Sequence, residues 1–174
     1  MNIKKWHIAG AFFTIVFGSL DHFFYHWSGE HPLVAAFSAV NESTWEHLKL
    51  LAAPVLLFSI FESIAYGRFR GGFLPAKVLS LILGMAAIIL IFYGYTAAAG
   101  THYLWADIAT FFIAAALTWF LSYFLMKKEN CAGIGVQLIS RVLLAAVLVS
   151  FLLFTVDPPH IFLFEDPVTG QYGL

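Results

Sequence analysis

The sequence predicts an all-α fold, a polytopic membrane helical bundle with about five transmembrane helices, and three observations carry that expectation. The 174 residues are 61% hydrophobic and only 11% charged, where a soluble chain carries roughly 25% charged residues, and the mean hydropathy is +0.85. Apolar stretches recur along the chain, each near the roughly 20 residues that cross a hydrocarbon core. The polar breaks between them are short, so residues 1–174 read as one membrane domain with no room for a separate soluble one. A net charge of −1 argues against a nucleic-acid partner, which requires a basic patch. The single cysteine, Cys131, excludes an intrachain disulfide.

The first span is expected over residues 6–27. Lys4 and Lys5 before an apolar run resemble a secretory signal, but Asp21, His22 and the aromatics after them make a poor cleavage site. A short segment with Gly29, His31 and Pro32 leads to a second span over 41–66, kinked at Pro54. Arg68-Phe-Arg-Gly-Gly is a tight basic turn. The third span, 75–98, opens with proline in its first turn, where the missing N–H matters least. Gly100-Thr-His is a very short loop before the fourth span, 103–126. The loop 127–135 leads to the fifth, 136–156, which Asp157-Pro158-Pro159 stops. The tail, 157–174, is too polar to span and too apolar to be simply solvated, so it should fold back on the protein or lie at the outer interface.

Orientation follows from the basic residues, which concentrate in short cytoplasmic loops. Five spans put Lys4, Lys5, Arg68, Arg70, Lys77, Lys127, Lys128 and Arg141 on one side, and leave Lys49 in the other half. The N-terminus is therefore expected in the cytoplasm and the C-terminus outside. Six of the seven histidines fall in the outer half, an asymmetry that the distribution of basic residues does not explain.

His22 and His26, four apart at the outer end of the first span, share a helix face and can share a metal, with Asp21 as a further ligand or an orienting carboxylate. They read equally as interfacial rings beside Tyr25 and Trp27. Asn41-Glu-Ser-Thr-Trp-Glu-His47 is the densest polar run. Ser43 and Glu46 have capping-box spacing and Asn41 is a good N-cap, but capping leaves Glu42 and His47 unexplained. The two helix ends together offer His22, His26, His47 and Asp21 as ligands for a divalent metal such as zinc, and Glu46, Glu42 and Ser43 as catalytic groups. Asp157, His160, His102 and Asp107, from the other outer ends, are candidates to complete or cover the site. A metal with three protein ligands and an open position lowers the pKa of water to about 7, which is the basis of a hydrolytic centre.

The strings Val40-Asn-Glu-Ser-Thr-Trp-Glu-His-Leu-Lys49 and Asp157-Pro-Pro-His-Ile-Phe-Leu-Phe-Glu-Asp-Pro-Val-Thr-Gly170 resemble the hallmarks of a family of small bacterial multi-pass membrane proteins of unknown function. That resemblance implies a location in the bacterial cytoplasmic membrane and no particular activity. Ser43-x-x-x-His47 and His22-x-x-x-His26 also resemble the spacings with which alkaline ceramidases and related membrane hydrolases hold catalytic zinc. Here the histidine pair comes first in the chain, and five helices stand in place of seven.

Three functions fit these residues: an outer-face metal-dependent hydrolase of a lipid or amphipathic substrate, a protein that binds or transports a divalent cation or small amine, and a non-catalytic subunit with a structural polar cluster. Gly84, Gly94 and the alanine runs suit close helix packing. Glu62 is expected to snorkel or to pair with Arg68 or Arg70, and Cys131 to be an incidental reduced thiol.

Overall fold

The computed structural model describes residues 2–127 and 133–174; Lys128, Glu129 and Cys131 lie outside them. Five long helices, α1 (Ile3–Trp27), α3 (Thr44–Ala65), α4 (Phe73–Ala99), α5 (Leu104–Lys127) and α6 (Ile134–Val156), are joined by a one-turn helix α2 (Pro32–Ala35) and a 3-10 turn, Gly67–Phe69. Each long helix is long and apolar enough to cross a bilayer, and the protein is a multi-pass membrane protein. Helices α1, α3, α4 and α5 form an antiparallel ring, with α1 against α3 and α5, and α4 against α5 and α3; α6 packs outside against α4 and α3.

Helix α1 shows why this chain belongs in lipid. Its buried residues are His7, Gly10, Thr14, Gly18, Asp21 and Tyr25, a stripe at helical spacing made of small and polar side chains. The opposite face exposes Ile8, Phe12, Val16, Leu20 and Phe23. A soluble amphipathic helix has the reverse pattern, whereas in a membrane small residues pack helices together and polar groups face inward. The small residues are needed for contact. A Cβ on Gly10 would fall on the Trp119 ring, and one on Gly18 would fall on the Leu50 carbonyl oxygen. Pro54, four residues after Leu50, has no N–H to give that carbonyl, and Gly18 lets α1 close over the exposed spot. Gly84 is pressed against Thr118 in the same way, as its composition predicts, but Gly94 faces open space and has no packing role. Gly18→Ala should therefore lower stability by about 1–3 kcal/mol, because the obstructing atom is backbone. Gly94→Ala should be neutral or slightly stabilising. Thermal unfolding of the two variants in detergent checks the contrast.

Several helix ends differ by a few residues from the expected ones, for local reasons. Helix α3 starts at Thr44, not residue 41, because the Ser43 hydroxyl caps it, accepting from the Glu46 N–H at 3.3 Å. Asn41 Oδ1 takes the Ser43 N–H at 3.0 Å, the bond a reciprocal capping box would assign to Glu46. Helix α4 ends at Gly100, whose φ of 74° places it in the left-handed region and lets its N–H reach the Thr96 carbonyl at 2.8 Å.

The apolar core is built around Leu51, Val55, Leu81, Ala114, Trp119 and Phe151. A buried polar group lies at each end of it. At the end that holds the N-terminus, Glu62 pairs with Lys77, accepts from the Tyr66 hydroxyl and lies 3.8 Å from His7 Nδ1. Burial, and then the bond to Glu62, push the Tyr66 hydroxyl above its usual pKa. Glu62 thus pairs across the bundle with Lys77, not with Arg68 or Arg70; those arginines are exposed, and Arg68 stacks on Phe69 at 4.7 Å. The tail folds back over the other end. Leu163 supplies its carbonyl to the Trp45 N–H at 3.0 Å, satisfying one of the free donors that open a helix, and Phe164 is buried against Trp45 and Phe154.

Candidate functional site

The antiparallel ring brings the end of α1 beside the start of α3, and His22, Glu42 and His47 meet there. Glu42 sits in the non-helical approach to Ser43, so its side chain spans the gap between the two helices. One carboxylate oxygen lies 3.7 Å from His22 Nε2 and the other 3.5 Å from His47 Nε2. The two rings are 5.4 Å apart, tilted by 38°. The ligand atoms these residues offer all lie within 4.8 Å of one another. Donors about 2.0–2.1 Å from a tetrahedral zinc ion stand roughly 3.3 Å apart. The two histidine–carboxylate separations, each to a different oxygen of Glu42, are too long for good hydrogen bonds, and the three groups would have to draw closer to hold an ion.

The tautomer of His47 is fixed. Its Nδ1 lies 2.9 Å from the Ser43 carbonyl, an oxygen that can only accept, so Nδ1 carries the proton. In its neutral form His47 would therefore present the lone pair of Nε2 towards Glu42. This is the orienting bond that metal-ligating histidines make with their second nitrogen. His22 has no equivalent. Its Nδ1 is enclosed without a hydrogen-bonding partner, and its ring is held by edge contact with Phe23 at 5.2 Å and by His47. Two imidazoles and a carboxylate suit zinc and its first-row neighbours.

The remaining sequence candidates lie elsewhere. His26, one turn further along α1, is exposed and lies 3.6 Å from Glu30, itself held at a φ of 61°. Asp21 is buried and accepts from the Ser38 hydroxyl through Oδ1, while Oδ2 has no hydrogen-bond partner among the described residues. Ser43 is occupied in capping α3. Glu46 is turned into the bundle: it accepts from Lys49 Nζ at 2.7 Å, the Val40 N–H at 3.0 Å and the Thr155 hydroxyl at 2.9 Å. Asp157 is the exposed C-cap of α6. His160 stacks on Tyr172, centroids 4.4 Å apart. His102 lies 3.1 Å from Asp107, which also takes the Tyr95 hydroxyl, forming a separate group at the α4–α5 turn.

Sequence reasoning missed the partners that fix these groups. Lys49 was legible as a cation inside the apolar run Leu48-Lys-Leu-Leu51, which demands a buried partner, and Glu46 stands three residues before it, within reach on a helix. Ser38 and Thr155 left no comparable signal. No curated protein and no solved structure matches the chain significantly. The model of one family, described as a family of unknown function (DUF6512), matches residues 1–174, and the protein belongs to that family.

Proposed function

We propose that this is a membrane metalloprotein in which His22, Glu42 and His47 hold a divalent cation, zinc foremost, and that it hydrolyses a lipid or another amphipathic substrate at the outer face of the bacterial cytoplasmic membrane. The observation that carries the reading is the meeting of three ligand-capable groups whose ligand atoms lie within 4.8 Å of one another, with His47 oriented by a backbone carbonyl. An ion held by three protein groups keeps a position open to water or substrate and acts there as a Lewis acid. The outer-face assignment rests on the exposed Lys4, Lys5, Arg68, Arg70, Lys127 and Arg141, all at the opposite end of the bundle.

A second reading, in which the same centre binds a cation without turnover, is favoured by one observation. Glu46, the natural general base, is tied up by Lys49 and Thr155, and Asp21, another buried carboxylate at this end, is bonded to Ser38. Transport through the bundle has less support. Lys49 and Glu62 are separated along α3 by about 20 Å, and Leu51, Val55 and Leu81 are packed in the interval.

The test is the metal content of protein purified in detergent without an affinity tag, alongside His22→Ala, His47→Ala and His102→Ala. One equivalent of zinc or a related ion in the native protein, lost in the first two variants and kept in the third, is expected. No metal after reconstitution overturns the proposal. Bound metal with no turnover across lipid esters and amides selects the second reading.

A further inference from the structure

Where the tail folds back, a pocket of about 250 Å³ lies between the end of α1, the approach to α3 and the tail itself. Asn41 joins two of these walls: its Nδ2 donates to the Gly173 carbonyl at 3.1 Å, and its Oδ1 is taken by the Ser43 N–H. Two other lining side chains are more than nine-tenths buried and keep a polar atom unused. They are Tyr25, 8% exposed, and Asp166, 6% exposed. Asp166 Oδ1 accepts from the Val168 and Thr169 N–H groups at 2.8 and 3.4 Å, which leaves Oδ2 free, and the Tyr25 hydroxyl has no hydrogen bond among the described residues. Neither atom is sealed in. The unpaired side-chain atoms that the described residues enclose are Asp21 Oδ2, His22 Nδ1, Trp45 Nε1, Glu62 Oε2 and Lys77 Nζ, so the Tyr25 hydroxyl and Asp166 Oδ2 both keep accessible surface in residues that line this pocket.

The charge around the pocket is acidic. Glu30 also lines it, and its 3.6 Å separation from His26 is too long for a good hydrogen bond, so its carboxylate oxygens remain available. The carboxylates that act on the Tyr25 phenol are Glu30 and Glu46. No lysine or arginine lines the pocket among the described residues.

We propose that this pocket binds a small water-soluble primary amine as its ammonium ion, which donates to Asp166 Oδ2, the Tyr25 hydroxyl oxygen and the Glu30 carboxylate. An ammonium has three donors and no acceptor, and the lining offers three unused acceptors, two of them charged, where hydrogen bonds are strongest. At roughly 30 Å³ for each water-sized group, the space holds about eight heavy atoms. A metal ion fits less well, because among the described residues only His22, Glu42 and His47 gather three ligand groups tightly enough for one. The amine site stands whether or not that centre holds an ion, since the two share no residue. A bound amine would join α1, through Tyr25, to the tail, through Asp166.

Isothermal titration calorimetry of the full chain in a non-ionic detergent tests the assignment with three water-soluble probes. Putrescine, a four-carbon diamine, has charge and N–H donors; butanediol of the same length has no charge; tetramethylammonium has charge and no N–H. The native protein should bind putrescine more tightly than either of the others by about tenfold or more, the share of one hydrogen bond to a charged group. Tyr25→Phe should weaken putrescine binding by about fivefold, and because the hydroxyl has no partner in the protein, removing it leaves the fold intact. Asp166→Asn, which keeps Oδ1 for the two N–H groups and puts a donor in place of Oδ2, should weaken it further. His47→Ala should bind putrescine as the native protein does, with or without a chelator. Equal affinity for putrescine and either comparison probe overturns the proposal, as does undiminished binding in Tyr25→Phe and Asp166→Asn. Loss in His47→Ala moves the amine to the metal centre and overturns it as well.

Discussion

Glu46→Ala is expected to destabilise the protein by about 3–5 kcal/mol, the usual result of removing one partner from a buried ion pair. Lys49 is 1% exposed, and the variant leaves its ammonium facing one hydroxyl and two carbonyls, with Asp21 as its remaining acidic neighbour. The bilayer sharpens the effect, because charge in a spanning helix has no cheap route to water. Lys49→Met should cost less. The Glu46 carboxylate keeps the Val40 N–H and the Thr155 hydroxyl as donors. The double variant Glu46→Leu/Lys49→Met should recover most of the loss, since apolar replacements of a buried pair are often neutral or stabilising. Unfolding in graded denaturing detergent gives all three values. A Glu46→Ala protein as stable as the native one, but without turnover, would return Glu46 to the catalytic role expected of it from the sequence.

Glu42 and Glu46, both expected at one site, part for a definable reason. Residues four apart share a face only when both lie in the helix, and α3 begins after Glu42, at Thr44. Glu42 therefore swings across to α1, while Glu46, three residues past the cap, points into the bundle. The five spans and their polar ends were legible because hydropathy and depth are one-dimensional properties of the chain. Rotation about each helix axis was not. His22 and His26 do share a face, but a full turn of about 5.4 Å separates them, enough for His26 to reach Glu30 instead of Glu42. Asp21, one residue from His22, is turned roughly a quarter of the way round the helix and accepts from Ser38 instead. The Glu62–Lys77 pair was hidden for a different reason. Arg68 and Arg70 are nearer in sequence, and only the packing of α4 against α3 shows that Lys77 is nearer in space. The His22–Glu42–His47 grouping could be proposed from depth alone, but Glu42 as the residue joining the two histidines depends on where α3 starts.

Zinc should stabilise the native protein and leave Glu42→Ala unchanged. A ligand that binds only the folded state adds RT ln(1 + [L]/Kd), about 2.7 kcal/mol at a free concentration one hundred times Kd. The proposed ligands come from α1, the approach to α3 and α3 itself, so a bound ion would add to the Asp21–Ser38 bond a second tie between α1 and the segment that leads into α3. Glu42 is exposed and makes no hydrogen bond to the protein among the described contacts, so its removal in metal-free protein should change stability by no more than about 0.5 kcal/mol. The variant is thus a clean probe: near-native without zinc, unresponsive with it. Chelation should return the native protein to the level of the variant. His102→Ala, which disrupts the separate group on Asp107, should keep the full response, whereas an equal zinc response in Glu42→Ala would place the ion at that second group or at the exposed His26–Glu30 pair and remove the basis for a centre between α1 and α3.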